Sequence, residues 1–152
     1  VPRAMRRIYE LYFEVIKGRL QAVPGAVELV RALRPAGIKS ATATSADRVK
    51  LDANLDAIGL REDDFDTLVC GGDVTRKKPY PDIYLEAARR LGVAPEDCLV
   101  IEDAVEGIKA GVAAGCTCVG LSTTFPASVL AAAGAALVLP DLSGGLKALA
   151  VR

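Results

Sequence analysis

Histidine is missing from this 152-residue sequence. Its absence excludes Ser-His-Asp and Cys-His catalysis, zinc sites built on imidazole and an imidazole pH switch near neutrality. A surplus of charge of either sign is missing too, because 19 Lys and Arg meet 19 Asp and Glu. Neutralising many nucleic-acid phosphates needs a net basic face, so no nucleic-acid partner is expected. Long apolar runs are also lacking. The longest, residues 129–139, is interrupted by Gly134 and falls short of the roughly 20 residues that span a bilayer. Neither a membrane span nor a signal peptide is therefore expected. Cysteine is sparse: Cys70, Cys98, Cys116 and Cys118 stand in apolar surroundings without a CxxC spacing. That usage predicts reduced core residues in a reducing compartment such as the cytoplasm. The sequence opens on Val1-Pro2-Arg3 rather than Met, which places the expected natural N-terminus upstream.

With 51% hydrophobic residues, a chain of this length reads as one soluble domain that buries about two thirds of its unfolded surface without disulfides or a structural metal. Residues 3–20 set Met5, Ile8, Tyr9, Tyr12, Phe13 and Ile16 at helical spacing, and these aromatics are expected to serve packing. Pro24-Gly25 breaks the chain before a second helix over 26–33. Strands are then expected at 38–44, 65–70, 98–101, 116–121 and 136–139. Helices are expected at 48–58, 81–91, 105–114, 127–133 and 142–149. Short apolar strands alternating with helices predict an α/β fold, a Rossmann-like parallel sheet with helices on both faces. In such sheets ligands bind at the carboxyl ends of the strands.

Polar residues cluster at three of those ends. Thr44-Ser45 offers hydroxyls and backbone amides at a helix start, which suits either an N-cap or an anion such as phosphate. In Lys77-Lys78-Pro79, an ammonium ahead of a helix can neutralise a phosphoryl group, though solvated loop lysines look the same in sequence. Glu102-Asp103 follows the apolar strand Leu99-Val100-Ile101 at once. Adjacent carboxylates at a buried strand end repel, and an oxygen-seeking cation such as Mg2+ relieves that repulsion. Helix N-terminal acids account for Asp103 alone.

In this order the three elements resemble the haloacid dehalogenase superfamily of phosphatases and phosphomutases. Ala41-Thr42-Ala43-Thr44-Ser45 is similar to its second motif. Lys78-Pro79-Tyr80-Pro81-Asp82-Ile83-Tyr84 is similar to the third, and Val100-Ile101-Glu102-Asp103-Ala104-Val105-Glu106-Gly107 to the fourth. The forms of the last two point to the branch of β-phosphoglucomutase and phosphoglycolate phosphatase. The resemblance implies a Mg2+-dependent enzyme acting on a small phosphorylated metabolite through an aspartyl-phosphate. Thr44, helped by the Ser45 amide, would bind a phosphoryl oxygen, and Lys78 would hold nucleophile and phosphoryl group together. Asp103 would ligate Mg2+, with Glu102 a second ligand or an acceptor behind it.

The family's first motif, a strand ending in Asp-x-Asp-Gly, has no counterpart here. Asp64-Phe65-Asp66 comes in the wrong order and before a strand, and is rejected as the nucleophile. Residues 1–21 would be the remnant of a helical cap, and 22–152 a core lacking its first strand. Three explanations compete: a longer parent enzyme of which this is a part, a core completed by another chain, or a non-catalytic binding or regulatory module. In the first two the chain alone is expected to be inactive. The exposed sheet edge would favour self-association.

Overall fold

The computed structural model describes residues 2–149. Residue 1 of the expected segment 1–21 and residues 150–152 of the expected segment 22–152 lie outside the described residues. The order is α1 (Arg3–Ile16), α2 (Ala26–Leu33), β1 (Ala41–Ala43), α3 (Arg48–Ala57), β2 (Thr67–Val69), α4 (Asp82–Leu91), β3 (Leu99–Glu102), α5 (Val105–Ala113), β4 (Thr117–Leu121), α6 (Ala127–Ala132), β5 (Leu137–Leu139) and α7 (Gly145–Ala148). The expected alternation holds, and α2 keeps its expected bounds. No helix among the described residues is long and apolar enough to cross a membrane.

Several ends differ from the sequence expectation, each for a local reason. α1 stops at Ile16 rather than running to residue 20, because Gly18 takes a φ of 68° that a continuing helix does not allow. Its apolar stripe is only partly covered: Tyr9, Tyr12 and Ile16 are half-buried, whereas Met5, Ile8 and Phe13 are exposed. The two tyrosines bind α1 to α3 through their hydroxyls. Tyr9 donates to Asp47 at 3.3 Å and Tyr12 to Asn54 at 2.6 Å, with the Lys50 ammonium 5.5 Å from the Tyr12 ring centre. At the other terminus, α7 spans only Gly145–Ala148, because residues 142–144 form the turn that meets Pro24 through the Leu142 amide.

All strand pairs are parallel. β1 pairs with β2 alone, Thr42 opposite Leu68, while β3, β4 and β5 form a second ladder in that order. No ladder joins β1 to β3 among the described residues, and the expected seven-residue strand at 38–44 is reduced to Ala41–Ala43. Backbone bonds to β2 run only from Ser40, whose carbonyl accepts the Asp66 amide at 2.9 Å, to Thr44. One core nonetheless runs beneath both ladders. Val69, Ile83, Val100, Ile108, Cys118 and Leu130 pack together, and Ala41 and Ala43 of β1 lean against them. α4 supplies Ile83, Tyr84, Ala87 and Ala88 from one face, the helical repeat expected of a core-facing stripe. Burying an Ile or Leu of this kind stabilises the fold by about 1.5–3 kcal/mol. Among the described residues every cysteine is a free thiol; Cys70, Cys116 and Cys118 are buried and Cys98 is half-buried.

Candidate functional site

The carboxyl ends of β1 and β3 carry the residues singled out in the sequence. Thr44 follows β1 directly; its amide donates to the Val69 carbonyl at 3.0 Å, which carries the strand pairing one residue further. Its hydroxyl oxygen accepts the Ala46 amide at 3.1 Å, so the hydroxyl hydrogen remains available to a ligand. The helix cap itself is Asp47, whose carboxylate accepts the Lys50 amide at 2.9 Å. Capping is therefore done three residues beyond Thr44, and Ser45 between them stays exposed.

The two neighbouring lysines separate in role. Lys77 turns back to the Gly71 carbonyl and braces the loop after β2. Lys78, whose peptide bond to Pro79 is cis, reaches the Ala43 carbonyl at 3.3 Å and pairs with Glu102 Oε1. One ammonium thus bridges the ends of β1 and β3, which share no ladder. The pair is largely desolvated, with side-chain exposures of 14% for Lys78 and 11% for Glu102. The Lys78 ammonium also lies 5.0 Å from the centre of the Tyr84 ring, within cation–π range.

Glu102 is saturated. Oε1 accepts from Lys78 and from the Tyr84 hydroxyl at 2.9 Å; Oε2 accepts the amides of Asp103 at 3.0 Å and Ala104 at 3.1 Å. Four donors meet two oxygens, an arrangement open only to a carboxylate. Gly107 closes the group from the side, since a Cβ there would overlap the Glu102 carboxyl group. Burial, and then the Glu102 carboxylate, push the Tyr84 phenol well above its ordinary range, so it stays a hydroxyl donor. The repulsion between adjacent acids expected from the sequence is thus answered for Glu102 by Lys78, Tyr84 and backbone. Asp103 alone faces outward, exposed, with Oδ2 accepting the Thr124 hydroxyl at 2.7 Å.

Thr44, Ser45, Lys78, Glu102 and Asp103 are therefore gathered on one rim. Asp64 and Asp66 lie at the opposite end of the strands, where Asp66 accepts the Ser40 amide at 2.8 Å. Sequence reasoning gives no role to Tyr84, which closes the segment similar to the third motif, and does not reach Thr124. Thr124 follows β4 in the hydroxyl-rich run Ser122-Thr123-Thr124, at a strand end where the fold rule directs attention. Tyr84 carried a signal only in its spacing, on the first turn of the helix after Lys78.

Chemically the rim offers a fixed ammonium, a hydroxyl donor and one outward carboxylate, a set suited to a phosphate monoester. A Mg2+ ion fits that donor set. It typically takes one or two protein carboxylates and fills its remaining positions with water and substrate phosphate, and the exposed Asp103 carboxylate is the residue that could hold it. Among the described residues no group of three or more acidic or sulfur side chains forms a self-sufficient metal cage.

A family model described as haloacid dehalogenase-like hydrolase matches residues 3–115. The protein SUPPRESSOR OF QUENCHING 1, chloroplastic, of Arabidopsis thaliana is 40% identical over 141 residues, covering 91% of this chain and 13% of its own length. Hexitol phosphatase A of Escherichia coli is 41% identical over 97 residues, covering 64% of this chain and 44% of its own. A crystal structure assigned as a β-phosphoglucomutase from Thermotoga maritima superposes with a TM-score of 0.85 at 31% identity, over 95% of this chain and 67% of that one. The chain thus spans less than half the length of either of these two relatives.

Proposed function

Because the chain belongs to the haloacid dehalogenase-like hydrolase family, in its branch of phosphomutase- and phosphatase-like members, we propose that it forms the phosphoryl-handling core of a Mg2+-dependent phosphatase or phosphomutase. The substrate class is a small metabolite phosphate of sugar or phosphoglycolate type. The observation that carries this reading is Lys78, whose ammonium is held at once by the Ala43 carbonyl and the Glu102 carboxylate, with Thr44 on one side and Asp103 on the other.

In this reading the whole protein supplies a further strand between β1 and β3 that ends in an aspartate nucleophile. The missing ladder between those strands supports it. So does the exposed apolar side of α1, which suits residues 1–21 as the last part of a helical cap on a core from residue 22. The aspartate attacks phosphorus, the ester P–O bond breaks, and an acid two residues on protonates the leaving alcohol; water then cleaves the aspartyl-phosphate. Lys78 neutralises charge between nucleophile and phosphoryl oxygens, and the Thr44 hydroxyl donates to one of those oxygens. Glu102 acts through others, fixing Lys78 and the Asp103 backbone. The Asp103 carboxylate would hold Mg2+, which would supply charge stabilisation to the phosphoryl group.

Phosphate release by the whole protein from hexose, hexitol and glycolate phosphates tests this proposal. Turnover is expected with Mg2+ and is lost on chelation by EDTA. Turnover indifferent to EDTA, or none from any phosphomonoester, contradicts it.

A further inference from the structure

The thiols take no part in that chemistry, and two of them stand together. The parallel register sets Leu99 opposite Thr117, which makes Cys98 and Cys116 the preceding cross-strand neighbours. The Thr117 amide donates to the Cys98 carbonyl at 3.1 Å, so the two backbones are still joined there. Register partners in a parallel pair point to the same face, which sets the two thiols side by side on neighbouring strands; the Cys98 thiol meanwhile donates to the Ala94 carbonyl at 3.4 Å. Cys98 is half-buried and Cys116 buried. Burial, and then the Asp97 carboxylate, push the Cys98 thiol up, and burial pushes the Cys116 thiol up to about 11; Cys98 is the sulfur a reagent reaches first because it is the less buried of the two. The remaining cysteines are placed otherwise. Cys118 is enclosed below α5, 1% exposed with its thiol near the Ile108 carbonyl, and Cys70 belongs to a separate cluster with Leu51, Leu55 and Leu68.

We propose that Cys98 and Cys116 form an oxidation-sensitive dithiol, with Cys98 as the attacking and Cys116 as the resolving sulfur, that closes to a disulfide on exposure to a peroxide. The Cys98 thiolate attacks one peroxide oxygen and the O–O bond breaks, leaving a sulfenic acid on Cys98 and hydroxide, which takes the thiol proton and leaves as water. The Cys116 sulfur then attacks the Cys98 sulfur. The S–S bond forms, the S–O bond breaks, and the departing oxygen takes the second thiol proton and leaves as water. Two thiols are oxidised and one peroxide is reduced to two waters. The resolving step is intramolecular between side chains on adjacent strands, which is why a buried partner suffices. The cross-link joins β3, which ends at Asp103, to β4, which leads to Thr124.

Peroxide treatment of the chain at mildly alkaline pH, followed by alkylation of free thiols, trypsin and mass spectrometry without reduction, reads this directly. Cleavage after Lys109 separates peptide 91–109, carrying Cys98, from 110–147, carrying Cys116 and Cys118. A monomer two hydrogens lighter, with these peptides cross-linked and released by dithiothreitol, is expected. Cys118→Ser should leave the cross-link intact and Cys116→Ser should abolish it and let a sulfenic acid accumulate at Cys98. Four alkylated thiols after treatment, a cross-link that persists in Cys116→Ser, or only intermolecular disulfides would overturn the proposal. The readout is independent of phosphatase activity.

Discussion

Lys78→Met is expected to lower the unfolding free energy in urea by about 2–3 kcal/mol, above the range of an exposed ion pair and below that of a fully buried one. Methionine replaces the hydrophobic stem, so lost packing is a small part of the effect. What remains is a carboxylate 11% exposed whose balancing charge has gone. Tyr84 and two amides still donate to it, so the chain need not unfold outright. Adding Glu102→Gln should restore at least half of the loss. In the double variant the Gln oxygen can accept the two amides while its NH2 group donates to the Tyr84 oxygen, leaving no unmatched charge. Glu102→Gln alone does less well, because one amide oxygen cannot serve four donors. A loss below about 1 kcal/mol for Lys78→Met would be the behaviour of an exposed pair and would contradict the desolvated bridge between β1 and β3.

Asp103→Asn separates function from stability in the other direction. Asp103 is exposed and its contact with Thr124 survives in the amide, so the melting curve should shift by less than about 0.5 kcal/mol. In the whole protein, kcat with a sugar phosphate should nonetheless fall on the order of 10²–10³-fold, the scale for removing one element of electrostatic stabilisation. Raising Mg2+ should recover part of it, because a neutral amide is a weaker ligand than a carboxylate. Unchanged kcat at limiting Mg2+ would remove Asp103 from the metal site.

Most of the scaffold was legible because it is set by local pattern. Continuous apolar strands, the Pro24-Gly25 break and the Gly92 stop each act within a few residues, and the elements appear where those signals stand. The strand lengths were not legible, since a ladder depends on what lies alongside: residues 38–44 have a strand's composition, but only Ala41–Ala43 pair regularly, with β2 alone. At the rim, Thr44 and Asp103 could be named because each directly follows a strand in sequence, and Lys78 because it stands in the loop just ahead of a helix. Tyr84 and Thr124 could not. Their partners, Glu102 and Asp103, are 18 and 21 residues away, and only the folded chain brings them into contact. The same distance in sequence hides how Glu102 is used. Its adjacency to Asp103 suggests a shared cation, while the fold surrounds it with Lys78, Tyr84 and two backbone amides.

Thr44, Lys78 and Asp103 are proposed to form one phosphate and metal site, and a crystal of the chain soaked with Mn2+ and inorganic phosphate tests that most directly. Anomalous density from Mn2+ in coordinating contact with the Asp103 carboxylate is predicted, with phosphate bound to the Thr44 hydroxyl and the Lys78 ammonium. Phosphate bound away from both Thr44 and Lys78, or Mn2+ bound away from Asp103, would contradict it.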